Sequence, residues 1–237
     1  MNAKEIESKL VGQIVAEDIK TSVIFEKNGL LLNGNLASSV YELKRNNNVN
    51  FNGLISDLSE YCNDKENYQI DFNLASTDTL IDYIERFHHQ TIKNTLPEII
   101  NKGKEINDKY GEKSSAIREL YSLTMAFSED IFNHMDMEEK KLFPVIRTII
   151  HYKQDIAPLK NVFEEKIKIA FDEHEEATGL LKVINKLSEG FNPPPETGSE
   201  GVAYYKMLNS FVDNLYEHIH IESNILFNRI KKELNLI

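Results

Sequence analysis

From Ser76 onward, apolar residues recur at three- and four-residue intervals, the period of a helix that buries one face. Four long stretches carry this pattern. The first runs from about Thr77 to Asn107, with Ser76 or Thr77 as its cap and Asp78 in its first turn. The second covers about Ser114–Lys153 and is interrupted near Pro144. The third covers about Pro158–Glu189 and is stopped by Gly190 and the Pro193–Pro195 run, and the fourth covers about Val202–Leu236. Helices of this length joined by short connections predict an all-α chain whose residues 76–237 form an antiparallel four-helix bundle. Before it, residues 1–62 read as a small helical domain with short pieces at Ile6–Val15, Ser22–Lys27, Leu36–Lys44 and Asn52–Tyr61. Turn signals at Asn28-Gly29, Asn33-Gly34-Asn35 and Asn46-Asn47-Asn48 punctuate it. The polar, acidic stretch 63–75 reads as a linker.

The bundle repeats itself at an offset of 84 residues. Phe127, Ile131, His134, Glu138, Leu142, Phe143 and Ile146 map onto Phe211, Leu215, His218, Glu222, Leu226, Phe227 and Ile230. At 100° per residue, Phe127, Ile131, His134 and Glu138 fall within one stripe of roughly 60°, and so do their counterparts. A histidine and a glutamate therefore point together from an apolar, core-facing stripe, twice. An uncompensated buried carboxylate or imidazole costs several kcal/mol. A metal ion removes that penalty, because its charge offsets the carboxylates and neutral imidazoles are natural ligands.

Two His-x3-Glu pairs leave a two-metal site short of nitrogen, and the other two helices supply it. The third offers His174. The first offers His88 and His89, between which two arguments divide. The apolar stripe Ile81, Ile84, Ile92, Ile99 is centred nearer His88, whereas the repeat favours His89, which precedes His174 by 85 residues. We take His89 as the ligand and His88 as the alternative. The expected set is His89, His134, His174 and His218 with Glu138 and Glu222. Four nitrogens and two carboxylates able to bridge suit a pair of iron ions, and manganese or zinc could use the same ligands. Glu173 and Asp130 are candidates for orienting imidazoles. His151 and His220 take no part in this reading.

Composition narrows the alternatives. With 38 acidic against 27 basic residues and a net charge of −11, the chain has no basic stripe for phosphates, which argues against nucleic acid and against an anionic membrane surface. There is no apolar run long enough to span a bilayer, and the N-terminus shows no secretory pattern. The cytoplasm is the expected location. A single cysteine, Cys62, rules out an internal disulfide and a cysteine-based metal site within one chain.

Taken together, these stretches resemble a haemerythrin-type di-iron domain, and more closely the iron–sulfur cluster repair di-iron proteins, also called repair-of-iron-centres proteins. The matching features are His89-x6-Leu96-Pro97-Glu98, His134-Met-Asp-Met-Glu138-Glu139 running to Leu142-Phe143-Pro144, and Glu173-His174-Glu175-Glu176-Ala177. Pro193-Pro194-Pro195-Glu196 and His218-x3-Glu222 running to Leu226-Phe227 belong to the same pattern. At the N-terminus, Gly12-Gln-Ile-Val-Ala-Glu-Asp18 and Phe25-Glu26-Lys27 resemble the small helical domain of that family. The resemblance implies repair of iron–sulfur clusters damaged by oxidative or nitrosative stress, with damaged iron–sulfur proteins as clients and iron donation as the mechanism. It implies two non-haem irons per chain, carboxylate- and oxo-bridged, with the histidines as terminal ligands. A homodimer is the expected assembly, and a conventional enzyme is not expected.

One departure stands out. The family carries an adjacent cysteine pair after the Phe-Glu-Lys stretch, and here that place falls on about Asn33 and Gly34. No thiolate exists there to receive electrons or hold iron, which leaves docking or dimerisation to the N-terminal domain, with Leu30–Leu32 as a contact surface. The loss also favours the main alternative, binding, sensing or reduction of oxygen or nitric oxide. A metal-free helical scaffold is the third reading, and the His/Glu repeat speaks against it.

Overall fold

The computed structural model describes residues 1–32, 34–152 and 157–236. The expected end of the second bundle helix at Lys153 and the turn position Asn33 lie outside the described residues. The chain divides into two compact units, Met1–Tyr83 and Ile84–Ile237. The division falls inside the first long helical run, whereas the sequence pattern places the start of the bundle at residue 76.

The first unit contains α1 (Ala3–Ser8), α2 (Val11–Glu17), α3 (Thr21–Lys27), α4 (Phe51–Asn63) and α5 (Thr77–Tyr83), with 3-10 turns at Val40–Arg45 and Phe72–Leu74. The expected helix Ile6–Val15 is two helices. Lys9 and Leu10 are extended, and their backbone pairs with Ser38 and Val40 through Val11 N–H to Ser38 O at 2.9 Å and Val40 N–H to Lys9 O at 3.0 Å. The expected piece Leu36–Lys44 is a 3-10 turn over Val40–Arg45, started by a capping box in which Ser39 and Glu42 bond each other's backbone. The core is apolar and includes Ile6, Val11, Ile24, Phe25, Leu54 and Leu58, each worth about 1.5–3 kcal/mol of burial. Glu26, from the Phe-Glu-Lys stretch, accepts hydrogen bonds from Ser76 N (2.6 Å), Ser76 Oγ (2.9 Å) and Thr79 Oγ1 (2.7 Å). That carboxylate ties the start of α5 to this unit. Of the apolar run Leu30–Leu32, Leu30 is buried and Leu31 is 71% exposed, so one side chain rather than a run faces solvent fully.

The second unit is the bundle. Its helices are α6 (Gln90–Tyr110), α7 (Ser115–Met137), α8 (Phe143–His151), α9 (Ala157–Leu187), α10 (Gly198–His220) and α11 (Phe227–Glu233). α6 packs against α7 and α10, and α9 against the same two. Ser114 caps α7 by accepting the Ile117 N–H. Gly190 ends the third long helix as expected: at φ +70 it takes the left-handed conformation and donates its N–H to Asn185 O at 2.8 Å. Within the core, the repeat mates Phe127 and Phe211 meet edge to face, with ring centroids 6.5 Å apart. Among the described residues there is no strand beyond the Leu10–Ser39 bridge, and no helix is long and apolar enough to cross a membrane.

Three of the four long helices are broken by a π-helical turn, at Ile84–His89, Glu138–Leu142 and Ile221–Leu226. In the second and third, the N–H groups of Phe143 and Phe227 reach the carbonyls of Glu138 and Glu222, five residues back rather than four. The uninterrupted helix is α9.

Candidate metal centre

Each π turn carries a residue of the expected ligand set: His89 in the first, Glu138 in the second and Glu222 in the third. One extra residue per turn widens the helix and shifts the phase of the next turns, and such insertions concentrate at functional sites. His134 and His218 lie one turn before the two glutamates, and His174 comes from the middle of α9. All six expected residues converge in the bundle core, at exposures of 7% or less.

They form two groups that share both carboxylates. His89, Glu138, His218 and Glu222 each offer one donor atom within 4.8 Å of the others, and so do His134, Glu138, His174 and Glu222. His89 Nε2 lies 3.1 Å from His218 Nε2, and His134 Nε2 lies 3.1 Å from His174 Nε2. Glu138 Oε2 is 3.4 Å from His89 Nε2 and 3.3 Å from His134 Nε2. Glu222 Oε2 is 3.0 Å from His218 Nε2 and 3.2 Å from His174 Nε2.

These atoms are close but not satisfied. Both oxygens of Glu138 and both of Glu222 are fully buried without a hydrogen bond of acceptable geometry among the described residues. A carboxylate left so in a bundle core is costly. Four imidazole nitrogens aimed at two unsatisfied carboxylates form a donor set for cations, and the residues therefore fit a metal pair.

The electrostatics point the same way. Burial, and next the charge of Glu222, push the Glu138 carboxyl well above the usual range. Burial presses Glu222 upward too, but His218 and His174 outweigh it and hold that carboxyl low. Burial drives His218 down to about 4. For His134 burial acts against the proton, but Glu138 and Glu173 prevail and raise it to about 9. The two carboxylates thus compete for positive charge that only protons or cations can supply.

Behind the donor atoms stand further partners. Glu173 Oε2 lies 2.6 Å from His134 Nδ1, in agreement with the sequence expectation. Asp130, the other candidate, lines the neighbouring cavity instead. Glu139 and Ser223 were missed: Glu139 Oε1 lies 2.8 Å from His89 Nδ1, and Ser223 Oγ 2.8 Å from His174 Nδ1. Their signal was available, since each directly follows a repeated glutamate. His88 is also buried, with its ring stacked on that of His218 at 5.6 Å between centroids. The two remaining histidines, His151 and His220, are exposed.

A cavity of about 320 Å³ abuts one side of the centre. His134, His174 and His218 line it together with Ile131, Leu180, Leu215 and Glu173. Among the described residues, His89 and both glutamates are absent from its walls.

Helices, repeat and converging His/Glu set define a class, and the comparison with known families agrees. Residues 79–230 match the family described as hemerythrin HHE cation binding domain, and the chain belongs to that family. It is similar to the iron-sulfur cluster repair protein ScdA of Staphylococcus epidermidis, at 24% identity over 224 residues, covering 93% of this chain and 97% of that protein. It is also similar to the iron-sulfur cluster repair protein YtfE of Salmonella paratyphi B, at 32% identity over 150 residues, covering 63% and 64%. The family resemblance read from the motifs is borne out.

Proposed function

We propose that this chain holds two non-haem irons and serves the repair of iron–sulfur clusters damaged by oxidative or nitrosative stress, as an iron donor. The observation that carries the metal reading is the pair of fully buried, unsatisfied carboxylates shared by two groups of imidazoles. The names of the relatives carry the physiological reading, since both are iron-sulfur cluster repair proteins. His89 and His218 serve one ion, His134 and His174 the other, and Glu138 and Glu222 serve both. Bound there, iron supplies redox chemistry and open positions for small ligands. The protein fixes the imidazoles from behind through Glu139, Glu173 and Ser223, and excludes water from the His89 side by burial. The clients are damaged iron–sulfur proteins, reached in the cytoplasm, and the chain acts as a homodimer.

The cavity lined by His134, His174 and His218, together with the missing cysteine pair, favours a second reading: binding or reduction of oxygen or nitric oxide at the face of the centre that the cavity reaches. One experiment separates them. Iron-loaded protein is mixed anaerobically with an iron–sulfur protein whose cluster has been damaged by nitric oxide, in the presence of a nitric oxide donor. Recovery of the client's cluster with matching loss of iron from this chain supports donation. A stable nitric oxide adduct with no iron transfer sinks it and supports the second reading.

A further inference from the structure

The repeat that pairs the histidines also pairs the groups behind them. The 84-residue offset that carries Glu138 to Glu222 carries Glu139 to Ser223, and the 85-residue offset that carries His89 to His174 carries His88 to Glu173. All four of these residues sit against a histidine of the centre. Glu139 bonds His89 where its mate Ser223 bonds His174, and Glu173 bonds His134 where its mate His88 stacks on His218. Each half of the centre therefore has one imidazole backed by a carboxylate and one backed by a neutral group. His218 Nδ1 itself has no hydrogen-bond partner among the described residues.

The two carboxylates are not equivalent. Glu139 is gripped by Lys93, whose Nζ lies 2.6 Å from Oε1 and 2.8 Å from Oε2. The Glu173 side chain is 42% exposed and stands on the cavity wall. A carboxylate that accepts the imidazole N–H fixes the ring and raises its basicity as a ligand. One that is itself clamped cannot swing away to release the ring. His89 is fully buried and stacks on Phe143 at 5.9 Å, as its mate His174 stacks on Phe227 at 6.2 Å, so the clamp on Glu139 rather than the stacking distinguishes the two rings.

We infer that Glu139, clamped by Lys93, is a positioning residue that fixes His89 and makes the His89/His218 position the retaining one. The His134/His174 position, both of whose imidazoles line the cavity where only His218 of the other pair does, and which is backed by Glu173 and Ser223, is then the one that exchanges its ion first. This inference rests on the two-metal reading above. It assigns donation to a single position and gives the other the role of keeping the bundle assembled while iron leaves.

The test is iron release without any client. Protein loaded anaerobically with ferrous iron is mixed with excess chromogenic ferrous chelator, and the two phases of colour formation are recorded. The expected wild-type result is a fast phase and a slow phase of one ion each. Glu139→Gln and Lys93→Met speed the slow phase by about 10- to 100-fold and leave the fast phase within about twofold. Glu173→Gln speeds the fast phase, and Ser223→Glu slows it. Circular dichroism checks that each variant folds; if Glu139→Gln does not, Lys93→Met carries the test from a partly exposed position. Loading of two ions that leave in a single phase, or a slow phase untouched by both variants, overturns the inference while the two-metal reading stands. A wild-type chain that loads fewer than two ions overturns that reading as well.

Discussion

In the N-terminal unit the buried polar side chains are neutral, and four of them make hydrogen bonds within the unit. Thr21 and Ser22 donate to carbonyls of their own turn, Asn28 donates to Ile24 O and Asp57, and Thr79 donates to Glu26. In the bundle, five histidines and two glutamates are buried together, and neither glutamate makes a hydrogen bond of acceptable geometry among the described residues. One unit is built from apolar contacts that need nothing else. The other has placed in its core groups that only added charge can reconcile. A core of the first kind folds on burial alone, whereas the stability of the second is expected to depend on cations bound among these groups.

The largest expected effect comes from that coupling. Two ferrous ions present at about 1,000 times their dissociation constants stabilise by about 4 kcal/mol each. Chelation is expected to lower the protection of bundle amides against hydrogen exchange by several orders of magnitude and to leave the N-terminal unit unchanged. A His134→Ala, His218→Ala double variant is expected to lose the same increment, with iron per chain by mass spectrometry falling from about two to below one. Equal loss of protection in both units on chelation would break the comparison.

The reverse experiment acts on the N-terminal unit. Leu58 is fully buried there, and Leu58→Ala is expected to cost about 2–5 kcal/mol in denaturant unfolding of that unit. Iron per chain should stay at the wild-type value. A fall in bound iron would show that the bundle's centre depends on the neighbouring core.

A smaller effect has opposite signs in the two metal states. Removing one of two crowded, buried carboxylates lifts the repulsion that, with burial, holds the Glu138 carboxyl high, so Glu138→Gln is expected to stabilise the metal-free bundle by about 1 kcal/mol. The same substitution deprives both groups of a shared ligand, so the iron-loaded bundle is expected to lose most of its gain. Thermal unfolding with and without iron measures both signs. Destabilisation in both states would mean that Glu138 is held by protein contacts instead.

The site was more legible in the sequence than the backbone that carries it. The His-x3-Glu repeat exposed four members of the set because a carboxylate on an apolar stripe is anomalous, and anomalies that recur at one offset leave little room for chance. The π turns were invisible, since a hydrogen bond five residues back needs no particular side chain. That blindness explains the conflict over the first helix. Counting in fours from Ile81 and Ile84 leads to His88, but the π turn at Ile84–His89 inserts one residue and rotates the rest of the helix by about 100°. His89 is thereby brought to face the centre, and His88 is turned toward His218. The offset of the repeat survived because His89 was counted against His174 and not against its own helix. In the N-terminal unit the break at Lys9–Leu10 was equally hidden, because it is set by pairing with Ser38 and Val40, residues far along the chain.

The smallest effect tests whether the N-terminal unit's own charges are as ordinary as its core. Asp18 accepts hydrogen bonds from Tyr61 Oη and Lys65 Nζ, both at 2.7 Å, and from Lys20 N at 3.1 Å. Burial presses its carboxyl upward, but Lys65 and Tyr61 outweigh burial and hold it below the ordinary value. A depressed carboxylate contributes stability that is present above its unfolded value, about 3.9, and is lost as pH falls through the folded one. Partly exposed, the contribution is about 1 kcal/mol. Asp18→Asn is expected to remove it at pH 7 and to flatten the decline in this unit's stability below about pH 4, with iron content unchanged. If the variant keeps the wild-type acid profile, the acid sensitivity of this unit arises elsewhere, and Asp18 is a surface acceptor with no role in holding α4 against the turn after α2.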